Sequence, residues 1–244
     1  MNNQTGTLAG KVAVITGAGR GIGRAIALAY AHAGAAVVCS ARSLNEIDET
    51  AALVAASGGT ASACVADVGS HAAMLALFQH AVDAYGGVDI VVANAGVWAQ
   101  ARKVADSDPA NWAETIHTNL IGAFHTAHAA IPHLRARGAG KILFMGSGAR
   151  HATDPGMSAY SASKLALWKL TQVLAMELHE HHISVNELIP GPVKTAMTDF
   201  GRRTFAPSEW VKEPDDVVPM AMFLATQPDI GPTAQSYSLM RRAG

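Results

Sequence analysis

Seven short apolar runs alternate with longer helix-forming stretches, and this alternation limits the possible fold more than any other feature of the chain. The runs are KVAVIT (11–16), AAVVCSA (35–41), TASACVA (60–66), VDIVVA (88–93), KILFMG (141–146), ISVNELI (183–189) and AQSYSL (234–239). Their largely continuous apolar character suits parallel strands covered on both faces. Helical stretches fall near 22–33, 45–57, 70–85, 109–136, 158–181 and 214–226. Strands that alternate with helices connect by right-handed crossovers, so the expectation is an α/β chain with a doubly wound parallel sheet of about seven strands. No linker, repeat or low-complexity segment interrupts residues 1–244, which predicts a single domain.

Composition excludes several classes of function. Hydrophobic residues make up 50% and charged residues 15%, too apolar for a disordered chain. A net charge of −1 offers no bulk attraction to nucleic acid or to an anionic membrane. No apolar run reaches the roughly 18 residues that would span a bilayer, and MNNQTGTLAGK lacks the basic-then-apolar order of a signal peptide. Cys39 and Cys64 each sit inside an apolar run and read as reduced core residues. The expectation is a soluble cytoplasmic protein with no nucleic-acid or membrane partner.

The first strand runs directly into TGAGRGIGRAIA. Gly17, Gly21 and Gly23 allow a tight turn, close backbone approach and close helix packing. The helix start behind them presents free N–H groups and a positive dipole end, which suits a pyrophosphate. Between a strand and a helix, this pattern points to a dinucleotide rather than to a merely structural turn. The end of the second strand selects the dinucleotide. Ala41 stands where an acid would accept bonds from a ribose 2′-OH, and Arg42 and Ser43 follow it. Arg20 and Arg42, with no carboxylate at that strand end, favour the 2′-phosphate of NADP, with NAD possible. As solvated surface charges, the same arginines would select neither.

SAYSASKLAL (158–167) places Tyr160 and Lys164 four residues apart, on one face of a helix. A free tyrosine titrates near 10, too high for an efficient base at neutral pH. Lowering it by about two or three units takes ~3–4 kcal/mol. A lysine charge about 5 Å away, at an effective dielectric near 20, supplies ~3 kcal/mol. The pair is therefore large enough in effect to make an acid/base of the phenol. The bland alternative is a tyrosine covering core surface and a lysine snorkelling into water.

With these motifs in order, the chain resembles the short-chain dehydrogenase/reductase family over nearly its whole length, and its 3-oxoacyl reductase branch in its NADP features. TGAGRGIG is similar to the family's cofactor turn, which brings in Gly19 and Ile22. Asp67 matches the acid that binds the adenine amine, with Val68 beside the ring. ANAG (93–96) resembles the family's Asn-Asn-Ala-Gly motif, with Ala93 in its first position and Asn94, Ala95 and Gly96 in the rest. Asn119 matches the catalytic asparagine, and Ser147, thirteen positions before Tyr160, matches the catalytic serine. PGPVKT (190–195) matches the motif after the sixth strand, giving Pro190, Gly191, Val193 and Thr195, whose threonine holds the carboxamide.

The resemblance implies a Rossmann fold and an oxidoreductase acting on a carbonyl or secondary alcohol. Tyr160 would be the general acid/base and Lys164 would also bond the nicotinamide ribose. Ser147 would polarise the substrate oxygen, and Asn119 would help hold a water chain. It further implies a homotetramer built through helices 109–136 and 158–181, the second carrying Trp168, Leu170, Val173, Leu174 and Met176. The family's substrate lid falls at 196–213, where it is short, and the end SLMRRAG lacks the family's glycine-rich tail.

Val97, Trp98, Arg150, His151, Met157, Met197 and Phe200 are expected near the substrate, with Arg150 read as a surface or subunit-contact residue. HEHH (179–182) reads as a surface cluster at a helix end, so no metal site is expected. MGSGA lacks the Gly-x-Ser-x-Gly elbow of a serine hydrolase, since Met145 takes the first glycine's place. Two other readings use the same residues. A nucleotide-sensing binding protein would keep the fold without turnover. A sugar-nucleotide epimerase would use the Tyr/Lys pair but needs a larger substrate domain.

Overall fold

A computed structural model describes residues 6–98, 101–198 and 210–240. The apolar runs become β1 (Val12–Thr16), β2 (Ala36–Ala41), β3 (Thr60–Val65), β4 (Ile90–Ala93), β5 (Gly140–Met145), β6 (Ile183–Ile189) and β7 (Ser236–Ser238). They form one parallel sheet in the order β3-β2-β1-β4-β5-β6-β7. The direction of winding reverses between β1 and β4, and a ligand crevice opens at the carboxyl ends of strands where this happens.

The alternation of side chains along each strand divides the core in two. Val12, Val14, Val91, Ile142, Phe144, Ile183 and Val185 point to one face. There they meet α3 (His71–Tyr85), α5 (Gly122–Arg137) and α6 (Ser158–Glu177) through Met74, Phe78, Leu134 and Leu167. Ala13, Ile15, Val92, Leu143 and Leu188 point to the other face. α1 (Gly21–His32), α2 (Leu44–Ala56) and α7 (Val218–Ala225) cover that face with Ile26, Tyr30, Ile47 and Leu224. Burying both faces explains why the strands read as unbroken apolar runs.

Four elements depart from the sequence reading, among them the helix expected over 214–226, which opens as a 3-10 turn (Pro214–Val217) before α7. The helix expected over 109–136 is α4 (Pro109–Ile116), a π-helical turn (His117–Ile121) and then α5. The wider turn carries Asn119 inward, where its amide bonds both Val97 N–H and Val97 C=O. The helix expected over 158–181 stops at Glu177, and a 3-10 turn over His179–His181 ends on His182 in the left-handed region (φ 56°). The last strand shrinks to three residues, preceded by Ala234 at φ 55°.

Candidate active site

A cleft of about 1070 Å³ opens over the carboxyl ends of β1, β4, β5 and β6, where the winding reverses. Its floor is the β1–α1 turn. Gly17 (φ 67°) and Gly21 (φ 55°) adopt backbone conformations that side chains resist. A Cβ on Gly17 would stand 2.8 Å from Asn94 Nδ2, and one on Gly23 would overlap the Gly17 carbonyl oxygen. Gly17, Gly19, Arg20, Gly21 and Ile22 line the cleft, whereas Gly23 lies behind it and lets α1 close on the turn. No side chain caps α1 and its first turn holds no acid, so its N-terminal donors face the cleft without a built-in anion.

Ala41, Arg42 and Ser43 line one end of the cleft beside Asp67 and Val68. Sequence reasoning placed no carboxylate at that end, but the fold brings one there. Glu46, in the first turn of α2, packs against Gly19 and pairs with Arg20 at 3.2 Å. The Ser43-x-x-Glu46 spacing typical of a helix start was the available signal. Asn94 lines the cleft with Ala95 and Gly96, but its amide is spent on β1: Nδ2 donates to Thr16 O (2.9 Å) and Gly17 O (3.1 Å).

Ser147, Tyr160 and Lys164 converge at the other end. Ser147 follows β5, and its Oγ accepts from Ala149 N–H at 3.2 Å. The Lys164 ammonium lies 5.7 Å from the centre of the Tyr160 ring and donates to Met145 O at 2.9 Å. Lys164 is buried, and that burial pulls its amine down to about 8, opposed by the charge of Glu187. Trp98 packs on Tyr160 with ring centres 5.9 Å apart. Asn119 does not line the cleft. Beyond its bonds to Val97, its Nδ2 donates to Ser163 Oγ at 3.2 Å, which ties the π-turn to α6.

Pro190, Gly191, Val193 and Thr195 form the wall after β6, with Thr195 against Gly21. Val193 pairs with Lys212 in a parallel bridge that closes the base of the expected lid. Residues 199–209 of that lid, including Phe200, lie outside the described residues. Val97, Trp98, Met157 and Met197 line the cleft as expected. His151 does not line it, and Arg150 corrects its surface reading. The Arg150 side chain is 10% exposed and ion-paired to Glu187, a strand residue 37 positions away. Among the lining residues that the sequence did not point to, besides Glu46, are Asp154 and Met240, which follows β7 and packs against Gly148.

Among the described residues no group of three His, Cys, Asp or Glu could hold a metal, and no helix is long and apolar enough to cross a membrane. Cys39 and Cys64 are free thiols.

Comparison with known proteins agrees with this geometry. The family model for short chain dehydrogenases matches residues 11–204. The dehydrogenase/reductase SDR family member 4 of Sus scrofa is 33% identical over 229 residues, covering 90% of this chain and 82% of that protein. A 3-ketoacyl-ACP reductase structure from Sinorhizobium meliloti superposes with a TM-score of 0.83 at 36% identity, covering 93% of this chain and 96% of that one. A structure from Beutenbergia cavernae, named as an NAD(P)-dependent gluconate 5-dehydrogenase and holding NADP at low occupancy, superposes with a TM-score of 0.86 at 34% identity, covering 95% of each chain. The chain therefore belongs to the short-chain dehydrogenase/reductase family of NAD(P)-linked oxidoreductases.

Proposed function

We propose that the chain is an NADP(H)-dependent oxidoreductase that interconverts a carbonyl compound and a secondary alcohol, with Tyr160 as general acid/base. The observation that carries this reading is the buried Lys164 ammonium 5.7 Å from the Tyr160 ring, at the cleft's inner end. A nicotinamide dinucleotide fits the residues present. The β1–α1 turn has no room for side chains at Gly17 and Gly23, and the uncapped α1 start suits a pyrophosphate. When bound, that group supplies or accepts the hydride.

The remaining chemistry belongs to the chain. In reduction, the Tyr160 phenol gives its proton to the substrate oxygen as charge develops there; in oxidation, the phenolate takes it back. The Lys164 ammonium, 5.7 Å from the ring centre, favours phenolate over phenol by its charge. Ser147 donates a hydrogen bond to the same substrate oxygen. Asn119, committed to Val97 and Ser163, acts by positioning the loop after β4 against α6.

Cofactor preference follows from charge: Arg20 and Arg42 flank the end of β2, and Ala41 offers no carboxylate to a 2′-OH. The NADP in the Beutenbergia cavernae relative supports this choice. Val97, Trp98, Met157 and Met197 favour an apolar substrate of modest size. We further place the protein in the cytoplasm as a homotetramer. A binding protein without turnover is the second reading, and the presence of both Tyr160 and Lys164 disfavours it.

Purified protein mixed with NADPH and a panel of ketones and aldehydes should show loss of absorbance at the reduced nicotinamide band. Tyr160→Phe should lower kcat by at least about a thousandfold while leaving NADPH affinity within a few fold. Wild-type turnover retained by that variant rejects the acid/base assignment. NADPH binding without turnover of any substrate selects the binding-protein reading.

A further inference from the structure

β6 runs ISVNELI, and alternation assigns residues 183, 185 and 187 to the face covered by α6. Ile183 and Val185 obey, but the third position holds Glu187, with no exposed surface at all. A carboxylate in that place is costly, and a buried ion pair is often no more stable than an apolar pair of equal volume. Stability therefore does not explain it, whereas its neighbours do.

Glu187 Oε2 receives the Arg150 guanidinium and the Ser236 hydroxyl (2.6 Å), while Oε1 is buried with no hydrogen-bond partner among the described residues. That oxygen presses on Gly146, where a Cβ would overlap it. Gly146 sits between Met145, whose carbonyl receives Lys164, and Ser147. Arg150 belongs to the turn that Ser147 opens, and its N–H donates to Ser147 O at 3.2 Å. Its guanidinium also lies 4.6 Å over the ring of Trp168, one turn beyond Lys164 on α6. One buried ion pair thus touches the supports of both Lys164 and Ser147.

We propose that Glu187 and Arg150 are a positioning pair for the Tyr160–Lys164–Ser147 set: Glu187 is the counter-charge that keeps the buried Lys164 amine an ammonium, and Arg150 fastens the Ser147 turn to that carboxylate. The proposal rests on the acid/base reading of Tyr160 and Lys164 given above. Burial drives the amine down to about 8, and the Glu187 charge opposes that fall. The other titratable groups near the pair are Tyr160 on α6 and His151, whose ring accepts from Arg150 Nε at 3.0 Å. On the neighbouring strands, Lys141 is paired with Asp229 near the start of β5, and Tyr237 of β7 packs on Phe223 of α7. Neither replaces Glu187. Arg150, spent on this carboxylate, is also not offered to a substrate anion.

The sign of the effect is fixed. Removing the negative charge makes the ammonium harder to hold, so Lys164 should lose its proton at lower pH. Glu187→Gln alone strands a buried guanidinium, so the double variant Arg150→Met with Glu187→Gln accompanies it, leaving neither charge unpaired. The measurement is a pH titration of the Lys164 ε-methylene by NMR on 13C-lysine-labelled protein, the signal being assigned by its loss in Lys164→Met. It reads Lys164 whether or not the protein turns over a substrate. The alkaline limb of kcat/KM is recorded in parallel.

The proposal expects the Lys164 midpoint to fall by about one pH unit in folded Glu187→Gln, with the kinetic limb following, and by less in the folded double variant, which also removes the Arg150 charge. Glu187→Asp should recover part of the shift. A Lys164 midpoint that falls in neither folded variant overturns it. A wild type without turnover would instead count against the oxidoreductase reading, leaving the titration to decide the role of Glu187.

Discussion

Glu46 alters the charge balance at the ribose end of the cleft. It shares Arg20 at 3.2 Å, leaving Arg42 as the guanidinium at the cleft rim that is not ion-paired among the described residues. A 2′-phosphate placed there meets one acid as well as two bases. Arg42→Asp should therefore weaken NADPH by about thirtyfold while changing NADH by less than about threefold, as read by fluorescence titration of each. Glu46→Ala should tighten NADPH by about threefold, because the exposed pair it breaks is worth well under 1 kcal/mol. Equal losses for both cofactors in Arg42→Asp would remove the phosphate assignment. At this scale the sequence exposes what is contiguous. Ala41 and Arg42 are legible because they end a strand, and Tyr160 and Lys164 because one helix turn joins them. The Arg150–Glu187 pair depends on a contact across 37 positions that no local pattern carries, whereas Glu46, which reaches Arg20 across 26, left only the helix-start spacing as its trace.

Elements were legible where burial writes them into composition. Strands covered on both faces must be apolar throughout, so all seven runs fall within two residues of the observed strands at either end. β7 pairs on one side only, with β6, and its mixed run overstates its length. The π-turn at His117–Ile121 left no trace, because HTNLI has no breaker and its extra residue is imposed by the bonds of Asn119 to Val97. The packing of α1 on β1 offers a sharper test. Gly23 has backbone rather than flexible side chain above it, since a Cβ would overlap the Gly17 carbonyl and stand 2.6 Å from Asn94 Nδ2. Relief requires α1 to move away from the turn, carrying the phosphate donors with it. Gly23→Ala should cost about 2–3 kcal/mol in urea unfolding and weaken both NADPH and NADH by tenfold or more. Gly58→Ala is the control: its Cβ meets nothing within 4 Å, and although φ is 79° the strain there touches no ligand. Its cofactor affinity should stay unchanged.

At the scale of the molecule, the helices flanking the cleft carry apolar surface that the chain itself leaves uncovered. On α6, Leu165 is 53% and Met176 73% exposed, with Val173 between them and Phe124 of α5 also exposed. The sequence overcounted this surface: Leu174 faces the core, and Trp168 is half-buried under Arg150. What remains is a stripe at positions 165, 173 and 176 along one helix, long enough for a second copy to pack against in a symmetric contact. α6 also carries Tyr160 and Lys164, so pairing of copies would stiffen the element on which the chemistry rests. Light scattering of the wild type should give the mass of four chains. Leu165→Glu with Met176→Glu places a charge in each contact at a cost of several kcal/mol, and should yield a smaller species with unchanged circular dichroism. If activity falls with dissociation while NADPH affinity holds, the contact orders α6. If the wild type is itself monomeric at micromolar concentration, the stripe serves no assembly and the tetramer is wrong.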